Sequence, residues 1–135
     1  ARVRASALGT LAAALLLVAG GSVAAASLDG IWGVSEGDTV ACTNVHVMVL
    51  RDGRYTKALL DLGTTEGPRD VVVGVSSYSF DGARLVVAPS MSLAQPEPRQ
   101  VFDWDPVGSI LRREQPAPRL TFRRCPDRPL RPLDR

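Results

Sequence analysis

The single histidine and one pair of carboxylates are the side chains of this 135-residue sequence best suited to catalysis. His46 could act as a general base, but that role needs a nucleophile and an orienting acid in contact with the imidazole, and the sequence marks neither. Asp103 and Asp105 lie two residues apart, so in a strand they share a face and could flank a reacting bond. A small hydrolase is therefore one alternative. We favour structural roles, with His46 on a barrel wall and the aspartates at a solvated hairpin end.

The two cysteines, Cys42 and Cys125, are the other side chains with reactive chemistry. A metal site needs several cysteine, histidine or carboxylate ligands at close spacing. The sequence has only one histidine and two cysteines, so we expect neither a metal nor another cofactor. An even number of cysteines favours a disulfide in a chain that is exported, which the first residues of the sequence indicate. We therefore predict a Cys42–Cys125 disulfide, with two buried thiols as the alternative.

Residues 1–26 have the pattern of a secretory signal peptide. Arg2 and Arg4 precede an uncharged apolar stretch from about residue 8 to residue 19, which is shorter than the ~20 residues of a membrane-spanning helix. Small residues then end in Ala24–Ala26, which suits a signal peptidase. We expect cleavage after Ala26, a periplasmic or secreted location and no stable membrane span afterwards. The alternative is an uncleaved helix that belongs to the fold.

Charge excludes one class of partner. The net charge of +2 comes from Arg2 and Arg4, so residues 27–135 carry 14 cations and 14 anions. A general nucleic-acid or anionic-membrane binder needs surplus cations, so we expect no nucleic acid partner. Residues 112–135 nonetheless hold eight arginines and three acids. They either pair with acidic loops of the same molecule or form a docking tail for an acidic partner.

The sequence after residue 26 alternates with period two and shows no helical period. Val45, Val47 and Val49 alternate with Asn44, His46 and Met48, and Val71, Val73 and Val75 alternate further along the chain. Hairpin turns are indicated at Arg51–Arg54, Asp81–Gly82 and Asp105–Gly108. An opening strand over about Ile31–Glu36 and a final strand over Arg119–Arg124 bring the number of predicted strands to about eight.

These features predict an all-β fold. A meander of about eight antiparallel strands has two exposed edges unless it closes on itself, so we expect a small up-and-down barrel over residues 27–125. Closure would place the last strand beside the first and bring Cys125 close to the chain around Cys42. Residues 126–135 are rich in proline and arginine and have few apolar side chains, so we expect a disordered tail.

Gly30, Ile31 and Trp32 form a G-x-W motif at the start of the first strand. A G-x-W motif followed by about eight meandering strands resembles the lipocalin-like (calycin) barrels, which include small bacterial periplasmic metalloprotease inhibitors. The resemblance covers residues 27–125. It implies that Trp32 plugs the closed end of the barrel and that Arg124, or its neighbour Arg123, packs across the indole. Those inhibitors enter the protease with an extended N-terminal segment, whereas only three residues precede Gly30 after the predicted cleavage.

The sequence favours a binding function over catalysis. We expect a non-enzymatic binding module that recognises either a small apolar ligand inside the barrel or a protein partner outside it, including a protease to be inhibited. The aromatic candidates for the wall of a ligand pocket are Trp32, Tyr55, Phe102 and Trp104, which could also simply form the core. A further alternative is an envelope-associated protein held by its basic tail against anionic surface polymers. The oligomeric state is left open.

Overall fold

A computed structural model describes residues 27–91 and 96–131, and the predicted signal peptide lies outside these ranges. Eleven strands are present in them, and all pair antiparallel. The strands are β1 Gly30–Glu36, β2 Thr39–Val40, β3 His46–Arg51, β4 Arg54–Leu62, β5 Arg69–Phe80, β6 Arg84–Val87, β7 Ser90–Met91, β8 Pro96–Glu97, β9 Gln100–Asp105, β10 Ile110–Gln115 and β11 Leu120–Arg124.

Eight of the strands form a closed barrel in the order β1-β3-β4-β5-β6-β9-β10-β11, and β11 pairs back onto β1. Trp32 is opposite Arg124 and Val34 is opposite Phe122 in this closing pair. The short β2 extends the end of β1, and β7 and β8 pair only with each other. The predicted closed meander is confirmed, because closure leaves no barrel strand with an unpaired edge.

The three predicted hairpin turns connect neighbouring strands. Asp52 and Gly53 have φ angles of 47° and 83°, which a tight β-hairpin requires of its two central residues. In the β9–β10 turn, the Asp105 carboxylate accepts hydrogen bonds from the amides of Val107 and Gly108 at 3.0 and 3.3 Å. Local sequence therefore sets the pairing of these strands.

A bulge in β5 interrupts the valine alternation that the sequence suggested. Lys57 pairs with Gly74 and Ala58 pairs with Val72, so Val73 is the extra residue. The side chain of Val75 is consequently 52 % exposed, although the simple alternation groups it with Val71 and Val73. The pattern identified the strand but not its change of face.

Apolar side chains cover both the inner and the outer face of the barrel at strands β1, β3 and β4. One apolar cluster fills the interior, and its buried members include Trp32, Leu50, Leu85, Phe102 and Leu111. A second cluster lies on the outer face of β1, β3 and β4 and includes Ile31, Val47, Val49, Ala58 and Leu60. The alternation seen in β3 thus separates two hydrophobic faces rather than a core face from a solvent face.

The Cys42–Cys125 disulfide is confirmed, with the two Cα atoms 5.9 Å apart. Cys125 directly follows β11, and its amide donates to the carbonyl of Ile31 in β1 at 2.8 Å. Gly33 permits this arrangement, because a Cβ at that position would lie 2.1 Å from the carbonyl oxygen of Ala41 and 3.0 Å from Cys125 Sγ. The disulfide therefore fastens the chain after β2 to the strand that closes the barrel.

The expectation of a disordered tail is wrong for residues 126–131. Leu130 packs against the outer apolar cluster, and Arg128 forms salt bridges with Asp61 and Asp70. Asp127 pairs in turn with Arg51 at the end of β3. Charge pairing with residues of the same barrel therefore orders a segment that has too few apolar side chains to order itself.

Arg124 packs across the indole of Trp32. The Arg124 guanidinium lies 4.4 Å from the centre of the Trp32 ring, and it donates to the carbonyl oxygens of Asp29 and Ser27 at 2.8 and 3.0 Å. Gly30 has a φ of +143°, and a Cβ there would lie 2.9 Å from Arg124 Nη1. Glycine is therefore favoured at the position where the arginine crosses the chain.

Replacing Arg124 with methionine should lower the free energy of unfolding by about 1–2 kcal/mol. The variant keeps an apolar stem but loses a cation–π contact of about 0.5–1 kcal/mol at an exposed site, together with two hydrogen bonds to carbonyls. Urea unfolding followed by tryptophan fluorescence measures the loss. Arg123→Met is the matched control, because Arg123 donates to Ser35 Oγ instead. Equal losses in the two variants would contradict a specific role for the contact with Trp32.

Candidate functional site

One end of the barrel, here called the closed end, is filled by aromatic side chains. It contains the start of β1 and the three hairpin turns that follow β3, β5 and β9. Trp32 is fully buried there, and Trp104 meets Trp32 edge-on with 5.9 Å between the ring centres. Phe102, two residues before Trp104 on β9, is fully buried further inside the barrel. The Trp32 Nε1 donates to the carbonyl of Leu28 at 2.9 Å, so the indole is satisfied within the core.

A cavity of about 320 Å³ lies toward the opposite end of the barrel, here called the open end. It is lined by Val34, His46, Val47, Met48, Tyr55, Lys57, Glu97, Pro98, Gln100, Arg113, Pro116, Leu120 and Phe122. Of the four aromatic residues proposed from the sequence, only Tyr55 lines this cavity. Trp32, Phe102 and Trp104 belong to the packed core instead. The volume is at the lower end of the roughly 300–1,000 Å³ of small-molecule sites.

The inward positions of the strands change from apolar to polar toward the open end. Leu50 in β3 is followed toward that end by Met48 and then His46. In β10, Leu111 faces the interior, and Arg113 two residues later lines the cavity. Strand alternation places residues two apart on the same face, so these polar side chains continue the interior rows of the barrel.

Arg113, Gln100 and Tyr55 form a hydrogen-bonded group on the cavity wall. Arg113 Nη1 donates to Gln100 Oε1 at 3.3 Å, and Gln100 Nε2 donates to the Tyr55 hydroxyl at 3.4 Å. Arg113 Nη2 donates to the carbonyl of Pro118 at 3.0 Å. Burial raises the pKa of Tyr55, so its hydroxyl stays protonated at neutral pH. The group is polar and carries one positive charge.

A second charged pair stands near the mouth of the cavity. Lys57 Nζ lies 2.5 Å from Glu97 Oε2, and both side chains are largely buried. His46 lines the same region and is exposed to solvent. Partial desolvation of this exposed side chain, reinforced by the charge of Lys57, lowers the pKa of His46, so the imidazole is mainly neutral at pH 7. The pair of Lys57 and Glu97 has no net charge.

The carboxylates considered for hydrolysis are engaged elsewhere. Asp103 forms a salt bridge with Arg84, and Asp105 binds the turn amides and Arg112. The hydrogen bonds from the turn amides, led by that of Gly108, lower the pKa of Asp105, as expected for a carboxylate that fixes a turn. Among the residues described, no three histidine, cysteine or acidic side chains lie close enough together to hold a metal ion.

Sequence reasoning overlooked Arg113, Lys57, Glu97 and Gln100. The signal for Arg113 was present, because "ILRR" places an arginine in phase with an apolar residue that has to face the interior. Lys57 is likewise in phase with Tyr55 on β4. Glu97 carries no such signal, since it lies in the connection between β6 and β9.

Across residues 27–91 and 96–131, no helix is long and apolar enough to span a bilayer. No family model, no curated protein and no solved structure matches the chain.

Proposed function

We propose that the chain is an exported, non-enzymatic binding protein that holds a small ligand with a largely apolar body in the cavity at the open end. The observation that carries this proposal is the cavity of about 320 Å³ beside the packed apolar cluster of the barrel interior. An eight-stranded barrel is narrow enough for side chains to fill it, so space retained at one end is the feature that needs a function.

The composition of the cavity wall supports a mainly apolar ligand. Met48 and Phe122 line it with exposed fractions of only 3 % and 7 %, and Val34 and Leu120 complete the side formed by β1 and β11. Apolar walls that carry a few directed polar groups are typical of small-molecule sites.

The arrangement of charge favours this proposal over attachment through a basic tail. Arg128 and Arg131 pair with acidic residues of the same barrel, Asp61 and Asp70, which reduces the positive charge that this segment could offer to an anionic polymer. Attraction to such a surface depends on cations that have no internal partner.

We also propose that the barrel is lipocalin-like. Supporting this are the G-x-W motif at the start of β1, the guanidinium of Arg124 over Trp32, and the eight-stranded up-and-down order of strands. This proposal concerns the architecture of the barrel alone, and it does not depend on which ligand the cavity holds.

Native mass spectrometry of the protein isolated from its own cells tests the binding proposal. We expect a small-molecule adduct on the wild type that is lost in Leu120→Trp, because a bulkier side chain on the cavity wall takes the ligand's space. The matched control is Thr121→Trp, which makes the same replacement at the next residue of β11, outside the cavity lining. The adduct should remain in that variant.

Two results would overturn the proposal. One is an adduct that survives Leu120→Trp unchanged, since that places the ligand elsewhere. The other is a wild-type protein that carries no small molecule and co-purifies with a protein instead, which favours recognition at the outer surface.

A further inference from the structure

Arg113 occupies a position where an eight-stranded barrel normally has an apolar side chain. It is paired across β9 and β11 with Phe102 and Leu120, both of which belong to the interior cluster or pack against it. Moving a charged group away from water is unfavourable unless an opposite charge or several hydrogen bonds compensate it. The charges and hydrogen bonds that surround Arg113 therefore indicate which ligand group would stabilise it.

The partners of Arg113 within the barrel are neutral. Its Nη atoms donate to the amide oxygen of Gln100 and the carbonyl oxygen of Pro118. Within residues 27–91 and 96–131, its buried Nε has no hydrogen-bond partner and no carboxylate forms a salt bridge with the guanidinium. Burial lowers the pKa of Arg113, and the charge of Glu97, which is paired with Lys57, offsets this only in part.

Other arginines of the barrel show the contrast. Arg84 and Arg112, which lie on the outer face, each have an aspartate partner at 3.5 Å. Arg128 has a buried carboxylate partner, and its pKa is raised by the hydrogen bond from its side chain to Asp70. Arg113 thus has an unsatisfied donor and an unpaired charge at the wall of the cavity.

A second donor stands beside it. The Tyr55 hydroxyl accepts a hydrogen bond from Gln100, and its own hydrogen has no acceptor among the described residues, so it is available to a ligand. Lys57 does not compete for an anion, because Glu97 holds it at 2.5 Å. The charge balance of the cavity therefore leaves one positive charge for a ligand to neutralise.

We infer that the ligand carries a single carboxylate, which Arg113 binds while the apolar body occupies the space beside Met48, Leu120 and Phe122. This inference rests on the proposed binding function. A guanidinium presents donors in a planar fork that matches a carboxylate, and one unpaired cation suits one negative charge. A ligand with a cationic head would meet the same uncompensated charge and should be rejected.

A series of probes with one apolar body and three head groups tests the inference. Titration calorimetry or ligand-observed NMR would compare octanoate, octan-1-ol and octylamine on the purified protein. We expect octanoate to bind roughly tenfold or more tightly than octan-1-ol. Its carboxylate can accept a charge-assisted hydrogen bond from the unsatisfied donor of Arg113. Octylamine should bind more weakly than both.

Arg113→Met should reduce the preference for octanoate over octan-1-ol to about twofold or less, because the head group then has no cation to contact. The matched control is Arg112→Met, since Arg112 is the next residue on β10 and pairs with Asp105 on the outer face. That variant should retain the wild-type preference. Arg113→Lys should retain part of it, which separates charge from the planar fork.

The outcomes distinguish the two proposals. If none of the three probes binds the cavity, the binding function itself is contradicted. If octan-1-ol binds the wild type as tightly as octanoate, or if Arg112→Met loses the preference as fully as Arg113→Met, the cavity remains a binding site and the carboxylate inference is overturned.

Discussion

Replacing both Cys42 and Cys125 with alanine is expected to lower the free energy of unfolding by about 4–5 kcal/mol, the largest effect of any change considered for this protein. The two cysteines are 83 residues apart in sequence, so the bond closes a loop that includes most of the barrel. Closing a loop of that length lowers the conformational entropy of the unfolded chain by an amount equivalent to about 4–5 kcal/mol. Alanine is preferable to serine, because Cys125 is buried and a hydroxyl there would add a separate penalty.

Urea unfolding monitored by circular dichroism would measure this loss. Cys42→Ala alone should lose nearly as much as the double variant, since either change removes the constraint. The dependence of the unfolding free energy on urea should also steepen, because an unconstrained unfolded chain exposes more surface. A loss below about 1 kcal/mol, or an unchanged slope, would contradict the loop-closure explanation.

The barrel could be predicted because short-range patterns determine each hairpin and closure follows from their number. Asp52-Gly53, Asp81-Gly82 and the Asp105–Gly108 turn each join two alternating segments, and the structure pairs those segments as neighbours. Once about eight strands pair in sequence order, bringing the two edges together removes the unpaired backbone groups at both. The disulfide was predicted from the even number of cysteines in an exported chain, and closure explains how the two cysteines meet. The structure confirms both the disulfide and the closure.

Features that depend on long-range packing were not predictable in this way. The bulge at Val73 changes the face of β5, and its local signal is a single glycine, Gly74, which is compatible with a bulge but does not specify one. The order of residues 126–131 depends on Asp61 and Asp70, which lie 58 or more residues away from Arg128 in sequence. A prediction from composition considers only the side chains of residues 126–135 themselves. It therefore cannot include the barrel aspartates with which they pair.

For a similar reason, only Tyr55 of the four aromatic candidates lines the cavity. Alternation indicates whether a side chain faces the interior, but it does not indicate how far along the barrel axis that side chain lies. Trp32 and Trp104 face inward at the closed end, where they pack against each other. Arg113 faces inward near the open end, where space remains. Knowledge of strand register is needed to separate the filled half of the interior from the half with a cavity.

Asp70→Asn should lower the free energy of unfolding by about 3 kcal/mol, because it removes the buried charge that Arg128 binds and leaves Asp61 as the only carboxylate paired with that guanidinium among the described residues. The Asp70 carboxylate is fully buried and accepts four hydrogen bonds, from both Nη atoms of Arg128 at 2.7 and 2.9 Å and from the amides of Arg131 and Asp61 at 2.6 and 2.9 Å. An asparagine amide would replace one accepting oxygen with a donor that faces these donors.

The effect should depend on pH with a definite sign. The Arg128 side chain holds the pKa of Asp70 well below its usual range in the folded protein, against about 3.9 in the unfolded chain. A depressed pKa in the folded state gives stability that is present above the unfolded pKa and is lost as the pH falls through the interval between the two values. The difference between the wild type and Asp70→Asn should therefore be constant near neutral pH and shrink below about pH 4.

Asp61→Asn is the matched control, because Asp61 also pairs with Arg128 but its side chain is 26 % exposed. It should lose about 1 kcal/mol or less, as expected for a pair that water can reach. Hydrogen exchange of the Arg131 amide, which donates to Asp70, gives an independent readout: exchange should accelerate in Asp70→Asn and change little in Asp61→Asn. Equal stability losses in the two variants, or a difference from wild type that grows toward acid pH, would contradict a buried carboxylate as the anchor of residues 126–131.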